Sequence, residues 1–289
     1  MSWVQNRYTI FIGLLFSLAA ILSITWFHQH GTGDNRSAAS YKTERRAVPI
    51  VFVHGYKGTA NSFGGMLDRF QQNHWGEKTM VIRVSGDGFI LVNGKISDRY
   101  TNPMVQVIFS QNRASFSQTT KWLEKVMGIL YTKYGVKEVN LVGHSMGGLV
   151  CTKYIEETYQ EKNYPAVRKL ITVGSPYKGV RLQKFKKNPN NTGAAAVDLI
   201  PGSKALQALV THKNRFDPQI KVLAIAGVIN EPATGDSLVS LDSALGGKAI
   251  VPARRYQSEV VYGKHAGHSA LHENKKVDRM IGKFLWNLQ

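Results

Sequence analysis

Cysteine is all but missing from this chain. One thiol, Cys151, stands in 289 residues, so no disulfide can form within the chain. That fits a reduced cytoplasm and equally an exported bacterial protein that does without bridges. Carboxylates are also scarce, with 19 Asp and Glu against 37 Lys and Arg and a net charge of +18. Such an excess favours contact with a polyanion, whether nucleic acid, anionic lipid or an acidic wall polymer. The rival reading is a solvated lysine-rich surface. Because the basic residues are dispersed, with no aromatic–basic binding motif among them, nucleic acid is disfavoured as a partner. Metal-ligand spacing is lacking as well: the nine histidines are scattered, without H-E-x-x-H or paired cysteines, so no metal is expected. Neither a Walker loop nor a dinucleotide glycine pattern occurs, and no cofactor is expected. Internal repeats are absent too.

What remains is a globular composition, 43% apolar, in a chain long enough for one domain with an appendage. The appendage is N-terminal. Tyr8 to Phe27, YTIFIGLLFSLAAILSITWF, carries no charge over 20 residues. As a helix it would span roughly 30 Å, the thickness of a bilayer's hydrocarbon core. Arg7 precedes it, so the short N-terminus should stay inside with the remainder exported. Trp3 and Trp26 flank it as interfacial aromatics. Residues 1–28 are therefore expected to be a signal anchor, with the protein single-pass in the cell membrane. Ser17 and Ala19 also permit a cleaved signal peptide and a secreted product. Residues 29–47 form a polar linker with a Lys42, Arg45, Arg46 cluster.

From residue 48 to 289 the pattern is that of one domain of alternating strands and helices. Val48–Val53 is a fully apolar strand, and Thr79–Val84 the next. FILVNGKI at 89–96 has two apolar runs about Asn93-Gly94 and predicts a hairpin inserted on the core fold. Ser115 to Tyr134 is a helix with a Ser115/Gln118 capping box and a Gly135 stop. Strands follow at Glu138–Val142, Lys169–Val173, Ile220–Val228 and Tyr256–Tyr262, with a helix from about Met146 and a last one striped by Val277, Ile281, Phe284, Leu285 and Leu288. This alternation implies a mostly parallel sheet with helices on both faces, an α/β class. Residues 180–216 lack a strand pattern and are too long for a bare loop, which predicts a partly helical cap.

The motif that carries chemistry is Gly143-His144-Ser145-Met146-Gly147. It follows an apolar strand and opens a helix, the setting in which G-x-S-x-G holds a serine Oγ clear on a sharp, strained turn. Glycines are needed there because a Cβ would collide with the adjoining strand and helix. Taken with HGYKGT at 54–59, GDSLVS at 235–240 and GHSALHEN at 267–274, the chain resembles α/β-hydrolases. More closely it resembles an uncharacterised family of cell-surface hydrolases from Gram-positive bacteria, from about residue 48 to the end.

That resemblance implies a nucleophile, an acid and a histidine in this chain order. Ser145 is the nucleophile. Asp236, in the loop after the strand at 220–228, is the leading acid, ahead of Asp242 and Asp198. His268, after the last strand, is the leading base, with His265 and His272 close by. The expected chemistry is acyl transfer through an acyl-enzyme. The backbone N–H of Met146 and that of Tyr56, in the loop after His54-Gly55, are the expected oxyanion donors. His54 is read as shaping that loop. The substrate class that follows is a small-molecule or lipid ester. Peptidase, amidase or acyltransferase chemistry would use the same residues, and a non-catalytic surface protein binding anionic wall polymer or lipid is the reading from another class. Lys178, Arg181, Lys184, Lys186 and Lys187 open the cap without an acid among them. They would steer anionic substrates, rest on anionic head groups, or serve only as solvated surface.

Overall fold

The computed structural model describes residues 48–97 and 99–288. Its frame is an eight-stranded sheet in the order β3-β2-β4-β1-β5-β6-β7-β8. The strands are β1 (Ile50–Val53), β2 (Glu77–Val84), β3 (Ile90–Gly94), β4 (Pro103–Phe109), β5 (Glu138–His144), β6 (Ala166–Val173), β7 (Lys221–Val228) and β8 (Tyr256–Tyr262). Only β3 pairs antiparallel; every other pairing is parallel.

Burial on both faces explains why β1 reads IVFV with no polar residue. Val51 and Val53 point into one core, Ile50 and Phe52 into the other, as the two-residue period of a strand requires. Over the first face lie α2 (Phe116–Tyr134) and α3 (Met146–Glu157); over the second lie α1 (Asn61–Gln72) and α8 (Lys275–Trp286). Helix α2 begins where Ser115 Oγ accepts from the Gln118 N–H and ends at Gly135 in the left-handed conformation. Helix α8 buries Val277, Ile281 and Leu285 along one stripe.

Between β6 and β7 the chain leaves the sheet and forms three short helices, α4 (Leu182–Lys186), α5 (Ala194–Asp198) and α6 (Lys204–Thr211). A further single turn, α7 (Leu241–Ala244), follows β7.

Two sequence expectations are corrected. The hairpin expected within 89–96 is not formed: residues 90–94 are one strand, and Asn93-Gly94 sits inside its pairing with Val81 and Met80 of β2. The reversal is made upstream by Asp87-Gly88: the Ser85 N–H donates to the Phe89 carbonyl at 2.9 Å and Gly88 takes φ 84°. Gly94 does have a positive φ, 101°, but because it meets the Thr79 carbonyl, which a Cβ would approach to 2.1 Å. The second correction is an omission. Strand β4 and helix α1 were not anticipated, although β4 is fully buried next to β1.

Among the described residues no helix is long and apolar enough to cross a membrane. The apolar run at 8–27 and the linker at 29–47 lie outside the described residues.

Candidate active site

The parallel strands all point their C-terminal ends to one edge, and the chemistry-bearing residues leave from there. Ser145 follows β5, Asp236 lies in the loop after β7, and His268 comes after β8. Such sheet edges are where α/β folds gather ligands.

Ser145 occupies a backbone conformation that L-residues avoid, φ 55° and ψ −128°. The surroundings hold it there. Its N–H donates to the Val173 carbonyl at the end of β6, 2.8 Å away. A methyl on Gly147 would stand 2.1 Å from the Val53 carbonyl, and one on Gly143 would stand 2.5 Å from Gly148 Cα. Strand and helix therefore close on the turn so tightly that only glycine fits at these positions.

His268 Nε2 lies 2.9 Å from Ser145 Oγ, and His268 Nδ1 lies 2.7 Å from Asp236 Oδ2. A carboxylate only accepts, so Nδ1 carries the hydrogen and Nε2 is free to accept from the serine hydroxyl. Asp236 is wholly buried. Its second oxygen, Oδ1, accepts from the N–H groups of Leu238 (3.0 Å) and Val239 (2.7 Å). Its carbonyl accepts from the His268 N–H at 2.9 Å. Both ends of the Asp–His pair are thus tied to backbone, which offsets the cost of burying the carboxylate.

The other acids and histidines weighed from sequence go elsewhere. Asp242 is exposed and pairs with Lys178 at 2.7 Å. Asp198 accepts the Phe116 N–H at 2.7 Å, closing the start of α2. His265 is exposed. His272 lines the cleft but turns its Nδ1 to Glu273, 3.1 Å away. His54 is buried, with Nδ1–H donating to the Gly55 carbonyl (2.9 Å) and Nε2 accepting from the Phe109 N–H (2.9 Å), so it braces the loop as a neutral imidazole. Burial lowers its pKa.

That loop meets the serine turn edge to edge. A methyl on Gly55 would stand 2.7 Å from Ser145 Cβ and 3.0 Å from the Met146 nitrogen. Among the described residues, neither the Met146 nor the Tyr56 N–H donates to a protein acceptor. The Tyr56 hydroxyl donates to the Thr192 carbonyl at 2.8 Å, and its ring rests on Phe185 of α4.

Sequence reasoning passed over two supports. His144, the variable position of the serine motif, is buried, and its Nε2–H donates to the His268 carbonyl at 3.0 Å. Burial, with the His268 and His272 imidazoles beside it, holds its pKa well below the ordinary value. Its place inside G-x-S-x-G was the available signal. The other support is Arg69 of α1. Its guanidinium binds Asp278 through two contacts, at 2.5 and 3.0 Å, Glu273 at 2.9 Å, and the His272 carbonyl at 3.0 Å. It thereby fastens α1 to the turn carrying His268 and to α8. No local pattern announces a contact spanning more than two hundred residues.

The cleft above Ser145 encloses about 570 Å³. Its walls include Tyr56, Lys57, Val180, Phe185, Leu199 and Leu238.

A parallel sheet of this order, with a strained serine after a central strand, defines an α/β-hydrolase. The chain belongs to the family described as "Alpha/beta hydrolase of unknown function (DUF915)", whose pattern matches residues 37–288. Among solved structures it is similar to the lin2722 gene product of Listeria innocua, at 29% identity and TM-score 0.72, covering 84% of this chain and 95% of that one. It is also similar to a protein from Lactobacillus plantarum WCFS1 described as a candidate cell surface hydrolase (21% identity, TM-score 0.63, 83% and 90% covered). The fold is shared with Bacillus licheniformis lipase BlEst2 in its mature form, at 15% identity and TM-score 0.56 over 83% and 93% of the two chains. No curated protein matches the sequence.

Proposed function

We propose that this hydrolase is a serine carboxylic-ester hydrolase acting at the cell surface. The observation that carries the reading is the chain of hydrogen bonds from buried Asp236 through His268 to Ser145, at 2.7 and 2.9 Å, on the floor of an open cleft. Ser145 Oγ attacks the ester carbonyl as His268 Nε2 takes its proton, and Asp236 holds the imidazole and stabilises its charged form. The oxyanion that develops is met by the Met146 N–H, at the positive end of α3, and by the Tyr56 N–H. Collapse of the tetrahedral species breaks the bond to the alcohol, which leaves with the proton from His268. Water then gives a proton to His268 and attacks the acyl-enzyme. The acid departs and Ser145 recovers its proton, so one ester and one water yield one acid and one alcohol.

The surface location is supported by the uncharged run at 8–27 and by similarity to the Lactobacillus protein so described. The test is labelling of the full chain with a fluorophosphonate, together with p-nitrophenyl ester cleavage. Ser145 is the expected site of label, and Ser145→Ala is expected to lose labelling and to cut turnover by at least about a thousandfold. Ester cleavage that survives this substitution sinks the assignment.

A further inference from the structure

The walls of the cleft carry lysines from two separate elements of the fold, the loop after β1 and helix α4. Around the cleft, Lys57 and Lys184 line the walls, Arg181 hydrogen-bonds the lining residue Ser237, and Arg113 shares Thr192 with the Tyr56 hydroxyl. Among the described residues none of these four is in an ion pair with an acid. Lys57 Nζ donates to Asn191 Oδ1 at 2.8 Å, Arg181 Nη1 to the Ser237 carbonyl at 3.1 Å, and Arg113 Nη1 reaches Thr192 Oγ1 at 3.5 Å. These acceptors are neutral, so the positive charge at the mouth is left uncompensated. Among the described residues no Asp or Glu lines the cleft.

Lys57 is also held in place rather than merely exposed. It takes φ 58°, a left-handed conformation for a residue with a side chain, and its N–H is fixed on the Asn112 carbonyl at 2.8 Å. Such a conformation persists only where the surroundings impose it. It directly follows Tyr56, whose ring centroid lies 5.6 Å from the Lys57 ammonium, while Lys184 enters from α4 on the excursion between β6 and β7. Beside these cations the lining has an apolar part comparable with the polar one, chiefly Tyr56, Val180, Phe185, Leu199 and Leu238.

We infer that the cleft takes an ester bearing a phosphate group a few bonds from the scissile carbonyl, with Lys57 and Lys184 as its anion subsite. This deepens the serine-hydrolase reading and rests on it for the chemical step, but the subsite itself exists independently of catalysis. Two ammonium groups act here as point charges on phosphate oxygens. Binding energy from such a non-reacting group can be applied to the reacting centre.

The test has two arms, both on the full chain in non-ionic detergent. In the first, glycerol 3-phosphate and glycerol are titrated into Ser145→Ala by calorimetry. The phosphate is expected to bind, glycerol is not, and binding should weaken at least about tenfold in Ser145→Ala carrying Lys57→Gln and Lys184→Gln, and also as salt rises. In the second, kcat/KM is compared for 1-butyrylglycerol and 1-butyrylglycerol 3-phosphate. The ratio is expected to favour the phosphate ester by about tenfold or more and to fall towards unity in the Lys57→Gln, Lys184→Gln chain. Absence of phosphate binding, or binding and a ratio unmoved by the substitutions, overturns the inference while leaving the hydrolase reading intact. Phosphate binding as expected, with neither ester cleaved, upholds the subsite and removes the hydrolase reading.

Discussion

The floor of the cleft and its outer wall are built by different rules. On the floor, Ser145, His144 and Asp236 are buried, and His268 is held through its own N–H and carbonyl. Asp236, His268 and Ser145 are hydrogen-bonded to one another and to backbone there, and the glycines permit no extra carbon. The wall contributed by α4 to α6 consists of helices of five to eight residues with exposed Lys184, Lys186 and Lys187. The lesson is one of division: the hydrogen-bonded Ser145, Asp236 and His268 follow strands of the sheet and are tied to its backbone, while this wall sits on an excursion the sheet does not constrain.

That contrast can be broken by experiment. The largest effect is expected on the floor from Asp236→Asn, which removes the carboxylate that fixes the His268 tautomer. Turnover of p-nitrophenyl butyrate should fall by about 10³–10⁴-fold while the circular dichroism spectrum is kept. A fall of less than tenfold would make Asp236 a loop-shaping residue only. Next comes Gly147→Ala, whose methyl is forced against the Val53 carbonyl. It should destabilise the fold by about 3 kcal/mol in urea unfolding, whereas Gln183→Ala on the exposed face of α4 should stay within about 0.5 kcal/mol. Equal losses at the two positions would erase the distinction between floor and wall.

The smallest expected effect is on pH. His54, His144 and His272 all have lowered pKa values in the folded chain, mainly through burial. Below the ordinary imidazole value the unfolded chain takes up protons that the folded chain refuses, so their contribution is present above about pH 6.5 and is lost as pH falls towards the folded values. Each can remove up to about 1.4 kcal/mol per pH unit in that window. Unfolding free energy measured from pH 7 to pH 5 should therefore decline. A flat profile would mean that these floor histidines titrate as freely as exposed ones.

Much of the architecture was legible because burial writes itself into sequence. A strand enclosed on both faces has no room for polar residues, as IVFV shows, and Ser115 and Gly135 mark the ends of α2 because caps have strict chemistry. Strand β4 was missed although it is equally buried, since Pro103 and Gln106 interrupt its apolar run; Gln106 is tolerated inside because its Nε2 donates to the Ala60 carbonyl at 2.6 Å. Helix α1 begins at Ala60 without a capping side chain and carries Gly64 and Gly65, so it lacks the usual start signal. Asn93-Gly94 reads as the hairpin turn, whereas the observed turn is made by Asp87-Gly88, a dipeptide with the same conformational preference. At the site, motif and chain order singled out Ser145, Asp236 and His268, which the fold places within hydrogen-bonding reach of one another. The roles of Arg69 and His144 were not legible, because each depends on a partner remote in sequence.

The contorted backbone of Ser145 has a consequence for how the protein comes to exist. Its posture is imposed jointly by β1, β5 and β6, through the Val53 carbonyl, the strand that delivers it and the Val173 carbonyl. Until those three segments have met in register, nothing imposes that conformation on the serine, so under the proposed function its hydroxyl would gain its reactivity only with completed assembly.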